Sequence, residues 1–457
     1  MKFVHTSTST KETIGALATP PGVGGIAIVR VSGGNAIGSV SLLLKKSIDN
    51  QPTHSVLLRT LYAPSGEVLD RALLLIMRAP RSFTGEDVVE IHCHGGMLVA
   101  RRILEALALV GVRPANPGEF SLRAFLHGKI DLAQAEAIQD LIGAKNEEAL
   151  RVAEDQLEGR LSTRILDFQK RATDLAALFE AWVDFPEDDL GFCSFEEALS
   201  DLRALYSDVD RLVSTFQSGK MINQGIALCI LGAPNVGKSS LMNALLGKDR
   251  AIVSPIAGTT RDTLEDDLHM GGLHYRLIDT AGIRETDELI ESEGVKRSRQ
   301  YINKADVILV VLDATRPHDE EMRALLEEVP AQKSIIVWNK IDIAISQIPH
   351  IREPQVCLSA MTGDGVEQLF QTVESLVFGV GTRRRDEVMI TNVRHHEALI
   401  RAKEALSAVI NGLQAGLSPE FIALEMRDVL RHFGLIVGTD ITEDILNSIF
   451  SRFCIGK

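Results

Sequence analysis

The stretch Gly232-Ala-Pro-Asn-Val-Gly237-Lys238-Ser239 decides how the centre of this 457-residue chain folds. It fits GxxxxGK[ST], follows the apolar run Ile226-Ala-Leu-Cys-Ile-Leu231 and opens the helical stretch Ser239-Ser-Leu-Met-Asn-Ala-Leu-Leu-Gly247. In that context backbone N–H groups and a helix N-terminus can cradle phosphate oxygens. Lys238 can reach the β and γ phosphates, and the Ser239 hydroxyl can reach Mg²⁺. From Gly225 to about Phe378 short β-rich runs alternate with helical stretches, which predicts a doubly wound α/β unit. Gly271-Gly272, between Glu265-Asp-Asp-Leu-His-Met270 and Leu273-His-Tyr-Arg-Leu-Ile278, predicts a hairpin that adds one antiparallel strand.

Three further elements follow in order: Gly258-Thr259-Thr260, then Asp279-Thr280-Ala281-Gly282, then Asn339-Lys340-Ile341-Asp342. Strand ends along one sheet edge converge on one crevice. Thr260 can therefore complete the Mg²⁺ shell, Asp279 can hold a metal-bound water, and the Gly282 N–H can meet the γ-phosphate. A carboxylate at Asp342 accepts from the N1–H and 2-amino group of guanine, whereas adenine would leave it unpaired. Ser359-Ala360-Met361 can add a backbone contact to the guanine O6, so GTP is the expected substrate. Where Ras-like proteins carry a water-orienting Gln, this chain has Ile283. Any of Glu285, Asp287, Glu288, Glu291 and Glu293 can polarise water in its place. The amide of Asn235, inside the phosphate loop, can either ligate a monovalent cation or brace the loop.

Outward from this unit, the composition excludes several classes. Lys and Arg total 48 against 62 Asp and Glu, a net charge of −14, so any nucleic-acid contact is local; Arg383-Arg384-Arg385 is a weak candidate. Aromatic residues make up only 5%, which argues against stacking platforms for single strands. Five cysteines without a CxxC pair argue against both disulfides and structural zinc. His92-Cys93-His94 on a strand places the two His on one face and Cys93 on the other. No apolar run approaches the roughly 18 residues needed to span a bilayer, and the opening lacks a signal-like core, so a cytoplasmic protein without membrane contact is expected.

The chain divides into an α+β domain over 1–120, helical segments over 121–218 and 381–457, and the nucleotide unit over 219–380. Ser418-Pro419-Glu420 and Thr442-Glu443-Asp444 mark helix starts. The helices on either side of the nucleotide unit are expected to pack together, with that unit inserted between them; a separate C-terminal bundle is the alternative.

Residues 18–33 (ATPPGVGGIAIVRVSG), 81–96 (RSFTGEDVVEIHCHGG), 116–142 (NPGEFSLRAFLHGKIDLAQAEAIQDLI) and the terminal FCIGK resemble the MnmE (TrmE) family of bacterial tRNA modification GTPases, across essentially the whole chain. Ala257-Gly-Thr-Thr-Arg-Asp262 resembles the wider TrmE-Era-EngA-YihA-Septin-like GTPase group. The resemblance implies an N-terminal domain similar to folate-binding aminomethyltransferases, a discontinuous helical bundle and an inserted Ras-like G domain. It implies homodimers formed through the N-terminal domain, and a partner, the FAD-binding MnmG (GidA). Together they would add an aminomethyl or carboxymethylaminomethyl group to C5 of the wobble uridine of certain tRNAs, with the carbon from 5,10-methylene-tetrahydrofolate. Folate contacts would fall on Arg30, Glu90, Lys129 and Lys457, with Cys454 available for one-carbon chemistry or simply packed as a small residue. The GTP contacts would take in Val236, Ser240, Pro255 and Ala257 beside the motif residues above. Hydrolysis would depend on K⁺ held by Asn235 and the carbonyls of Ser254, Ile256 and Thr259, with Glu291 orienting the attacking water. A ribosome-assembly GTPase of Era or Der type is the rival reading, although no KH-like or second G domain is visible.

Overall fold

The computed structural model describes residues 12–184, 194–247, 266–278, 302–316, 326–327, 329–344, 348–378 and 388–456. They form two compact units. The first gathers Met1–Gln139, Gln156–Lys170 and Leu430–Lys457. Its sheet is ordered β3-β4-β5-β2-β1-β6, built from β1 (Ile14–Leu17), β2 (Ile26–Ser32), β3 (Ser55–Tyr62), β4 (Val68–Met77), β5 (Val88–His94) and β6 (Arg113–Pro114). Every pairing is antiparallel except β1 with β6. Strand alternation gives β2 and β5 two faces of different chemistry. Val29, Val31, Val89 and Ile91 pack with Val40 of α1 (Ala36–Ser41) and Ile103 and Leu107 of α2 (Met97–Leu109). Arg30 pairs with Glu90 on the opposite face.

At the β1 end of that opposite face, Ile14 and Ala16 pack on Phe120 of α3 (Glu119–Leu126). Beneath α3 runs a buried charge network. Arg123 donates to Glu86 at 3.0 Å and to Glu119 at 3.0 Å, while Arg113 also holds Glu119. Ser32 adds a 2.8 Å hydrogen bond to Glu86. A charge this deep is tolerated only when paired and hydrogen-bonded, so the network fixes α3 and the 80–87 loop to the sheet. The C-terminal helix (Glu443–Phe450) closes the unit, packing Leu446, Phe450 and the following Phe453 on Leu132 and Ala135 of α4 (Leu132–Gly143).

The second unit gathers Asp140–Asp155 and Arg171–Val429. Before its sheet it takes α5 (Glu147–Leu157) up to Asp155, α6 (Arg160–Asp184) from Arg171, α7 (Phe195–Ser214) and α8 (Phe216–Gln224). α7 opens with a capping box: the Ser194 hydroxyl accepts from the Glu197 N–H, and the Glu197 carboxylate accepts from the Ser194 N–H. From α8 the chain passes through Gly225 straight into β7 (Ile226–Leu231). This strand belongs to a second sheet, ordered β12-β11-β10-β7-β9-β8, with β8 (Asp266–Met270), β9 (Leu273–Ile278), β10 (Val307–Asp313), β11 (Ser334–Asn339) and β12 (Gln355–Cys357).

The sheet is parallel apart from β8, which returns antiparallel to β9 through the expected Gly271-Gly272 turn. Parallel strands covered on both faces read as continuous apolar runs, and β10 and β11 do so. One face packs on Leu241 and Leu245 of α9 (Lys238–Gly247) and Leu369 and Val373 of α10 (Val366–Phe378). Ala149 and Val152 of α5 join that same core. The other face buries Ile308, Val310, Ile336 and Trp338. Two further helices, α11 (Val393–Gln414) and α12 (Pro419–Val437), follow; α11 lies along α7, with Lys403 2.9 Å from Asp210. The helix-start signal at Ser418-Pro419-Glu420 lies where α12 begins.

Candidate functional site

Three strand ends meet at the carboxyl edge of the second sheet, where ligands bind in open α/β folds. The phosphate loop follows β7, Asp313 ends β10 and Asn339 ends β11. Within the loop, Asn235 takes a left-handed backbone (φ 62°), and so does Gly237 (φ 96°). A Cβ on Gly237 would fall on the Asn339 amide, so only glycine fits there. Asn339 is the hinge pin of the site. Its Nδ2 donates to the Val236 carbonyl at 2.9 Å, and its Oδ1 accepts from the Ala360 N–H at 2.9 Å. One buried side chain thus ties the phosphate loop to the Ser359-Ala360-Met361 loop. Ser359 is buried too, and its hydroxyl accepts from the N–H groups of Met361 and Thr362, which shapes that turn.

Lys340 crosses from the guanine motif to the phosphate loop. Its Nζ donates to the Asn235 carbonyl at 2.7 Å and to Asp313 Oδ2 at 2.6 Å. Burial works to raise the Asp313 carboxyl, but hydrogen bonds from Lys340 and Thr315 outweigh it and hold the group below the usual carboxylate range. Asp342 is exposed just past the strand end, and Ser239 and Ser240 are exposed at the start of α9. Lys238 folds across its own loop, donating to the Gly232 and Ala233 carbonyls at 2.9 and 2.8 Å. Met361 is also exposed. Sequence reasoning missed Asp313. Its position at the end of the run Val307-Ile-Leu-Val-Val-Leu-Asp313, on the edge that carries the nucleotide motifs, was the available signal.

Several expected site residues lie outside the described residues: Ser254, Pro255, Ile256, Ala257, Gly258, Thr259 and Thr260; Asp279, Thr280, Ala281 and Gly282; Glu291; and Lys457. Ile283 and Arg383 to Arg385 fall outside them as well.

In the first unit, Arg30 and Glu90 come together. The Arg30 Nε and NH2 both reach Glu90 Oε1 at 2.8 Å, and NH1 donates to the Gly456 carbonyl at 3.3 Å. Phe83 and Phe120 place their rings 5.8 and 5.7 Å from the guanidinium carbon. The sequence treats Arg30 and Glu90 as separate contacts; in the fold they are one clasp, and it grips the tail. The Gly118 N–H donates to the Cys454 carbonyl at 3.4 Å, and Cys454 is itself exposed. Gly456 has φ 96°, and a Cβ there would strike the Leu17 carbonyl. Lys129 goes elsewhere, donating to the Pro80 carbonyl at 3.0 Å.

β5 also settles the His92-Cys93-His94 triplet. Cys93 is buried on the core face, and burial together with nearby Asp70 pushes its thiol up to about 11. His92 reaches Glu90 at 3.3 Å, and His94 is held at 2.7 Å by Asp70. Beside this polar row the sheet presents exposed apolar side chains: Leu73, paired with both His92 and Leu58, and Val56.

Two family models match the chain: the GTP-binding protein TrmE N-terminus over residues 13–129 and the MnmE helical domain over residues 132–454. A protein from Protochlamydia amoebophila, described as tRNA modification GTPase MnmE, is 50% identical over 458 residues, covering 100% of both chains. Relatives of the same description from Moorella thermoacetica and Chlamydia felis are each 44% identical, each covering 98% of this chain and 99% of the relative.

Proposed function

The chain belongs to the MnmE (TrmE) family of tRNA modification GTPases, and from that premise we propose that it hydrolyses GTP in the course of modifying tRNA wobble uridines. The observation that carries this reading is the Asn339 bridge, which sets a base-reading loop beside a phosphate-binding loop. Asp342 reads the guanine N1–H and 2-amino group, and the Ser359-Ala360-Met361 backbone meets O6. Lys238 swings from its loop carbonyls to the β and γ phosphates. The helix N-terminus at Ser239 and Ser240 supplies further N–H donors.

Mg²⁺ suits the Ser239 hydroxyl, exposed at the mouth of α9, with Thr260 as its second ligand; when bound it neutralises charge on the phosphates. K⁺ suits Asn235, whose backbone is pinned by Lys340 while its side chain is exposed. The carbonyls of Ser254, Ile256 and Thr259 would complete its shell, and its charge would take the place of an arginine finger. Glu291 is our choice to orient the attacking water. Equal GTPase rates in KCl and NaCl at matched ionic strength would refute the potassium part, and full potassium stimulation of Asn235→Ala would remove that residue from it.

For the first unit we propose a 5,10-methylene-tetrahydrofolate site around Arg30 and Glu90, with Lys129 and Lys457 completing it and Cys454 at its edge. The clasp supports this by orienting the Glu90 carboxylate, which suits a pterin's adjacent N–H donors, while the glutamate tail at the far end of the molecule would fall to Lys129 and Lys457. The apolar patch of Val56, Leu58 and Leu73 supports a homodimer formed through this domain. The redox step would come from FAD on MnmG, acting with this chain in the cytoplasm on the C5 position. Nucleoside mass spectrometry of tRNA from a deletion strain tests the whole reading. Loss of the C5 aminomethyl-type wobble uridines is expected; their retention would favour the ribosome-assembly alternative.

A further inference from the structure

We propose that Asp313 is a positioning residue of the nucleotide site, holding the Lys340 ammonium on the Asn235 carbonyl so that the phosphate loop keeps its binding shape. The proposal rests on the guanine-nucleotide reading of this site. The β10–β11 register sets Asp313 opposite Asn339, which brings its carboxylate alongside the next residue, Lys340. Both carboxylate oxygens are engaged: Oδ2 by Lys340 Nζ at 2.6 Å, and Oδ1 by the Thr315 N–H at 2.9 Å and hydroxyl at 2.6 Å. Asp313 therefore has one orientation.

The ammonium it holds bridges two strained turns. Asn235 and Lys340 have φ of 62° and 66°, left-handed values that non-glycine residues keep only when their surroundings over-determine them. The Lys340–Asn235 contact supplies that constraint, because it joins one of these residues to the other directly. A carboxylate at the mouth of a phosphate site repels the ligand unless it is paired. Its presence here is explained if its charge is spent on Lys340, which would otherwise be drawn toward the phosphates and away from the Asn235 carbonyl. Asp313 touches no nucleotide in this account; it acts through Lys340.

The test is release of N-methylanthraniloyl-GDP from the full chain by stopped flow, together with thermal melting. Asp313→Asn should release the nucleotide about tenfold faster, the scale of one charge-assisted hydrogen bond, with an unchanged melting temperature. Thr315→Val, which leaves the carboxylate in place but loosens it, should give about threefold in the same direction. The double variant Asp313→Asn, Lys340→Met should release no faster than Lys340→Met alone, because both changes remove one bridge. Release from Asp313→Asn within twofold of wild type, or additive effects in the double variant, would overturn the positioning role while leaving the nucleotide reading intact. Failure of the wild type to bind the probe would overturn both.

Discussion

The two sheets hold their candidate sites by different means. In the second unit the site is made of backbone: short contiguous loops at strand ends, pinned by two side chains, Asn339 and Lys340. In the first unit it is made of side chains drawn from distant parts of the chain: Arg30 on β2, Glu90 on β5 and the carbonyl of Gly456 in the tail. The phosphate loop at the centre of the backbone site is written in eight consecutive letters. A side-chain site of this kind depends on strand register and on a tail hundreds of residues away. The first is set by local geometry, the second by the completed tertiary structure.

This contrast can be broken at several points. The largest effect is expected for Arg123→Ala, which strands the buried Glu86 without its cation and leaves Glu119 to Arg113 alone, and should destabilise the first unit by about 3–5 kcal/mol. Calorimetric melting would show it, and nucleotide affinity should be unchanged. Next, Gly237→Ala should weaken GTP binding by about a hundredfold, since the added methyl meets the Asn339 amide at a left-handed backbone position. Folate binding should survive it; loss of both activities would mean that the two sites are not independent.

Gly456→Ala should lower formyl-tetrahydrofolate affinity by about tenfold in isothermal titration, because the tail can no longer sit against Leu17, while GTP hydrolysis persists. Deleting the last four residues should act in the same direction, and unchanged affinity in both variants would remove the tail from the site.

The smallest effect concerns acid. Burial lowers the pKa of His274 from 6.5, although Asp267 at 2.9 Å opposes this. The unfolded chain therefore takes up a proton near 6.5 that the folded one refuses, so the second unit should lose stability as pH falls below that value. In the first unit burial works to raise Glu119, but Arg113 and its other partners hold it below 4.5, so its contribution is present above that pH and is lost only as pH falls further. Separate melting of the two units between pH 6.5 and 4.5 should show the second weakening first. Parallel weakening of the two would exclude His274 as the cause.

The same contrast explains what could be read in advance. The phosphate loop, the hairpin at Gly271-Gly272 and the long apolar strands β10 and β11 announce themselves, because each is a local pattern with one structural solution. The apolar runs IAIVRVSG (26–33), RALLLIMRA (71–79) and DVVEIHCHGG (87–96) mark β2, β4 and β5 in the same local way. β1 and the two-residue β6 leave no such mark, being too short to show a period; nor does β3, whose Ser55–Tyr62 run lies at the sheet edge with half-exposed side chains on both faces. The buried network left only a faint trace, Glu119 and Arg123 four apart on one helix, which more often marks a solvated pair. That Arg30 and Glu90 form a clasp requires the β2–β5 register, which no residue of either strand states alone.

The seating of the tail has a consequence for how the protein is made. The first unit closes with Leu430–Lys457, yet its sheet leaves the ribosome before the second unit has been synthesised. At roughly 5–20 residues per second, the finished sheet waits on the order of tens of seconds for the segment that completes it. During that wait the surfaces of Leu132 and Ala135 that Leu446, Phe450 and Phe453 later cover are open to water and to other nascent chains. Ribosomes that stall or terminate late in the message would release chains with a formed nucleotide sheet and an unfinished first unit. Such products would lack the contacts of Leu446, Phe450 and Phe453 with Leu132 and Ala135.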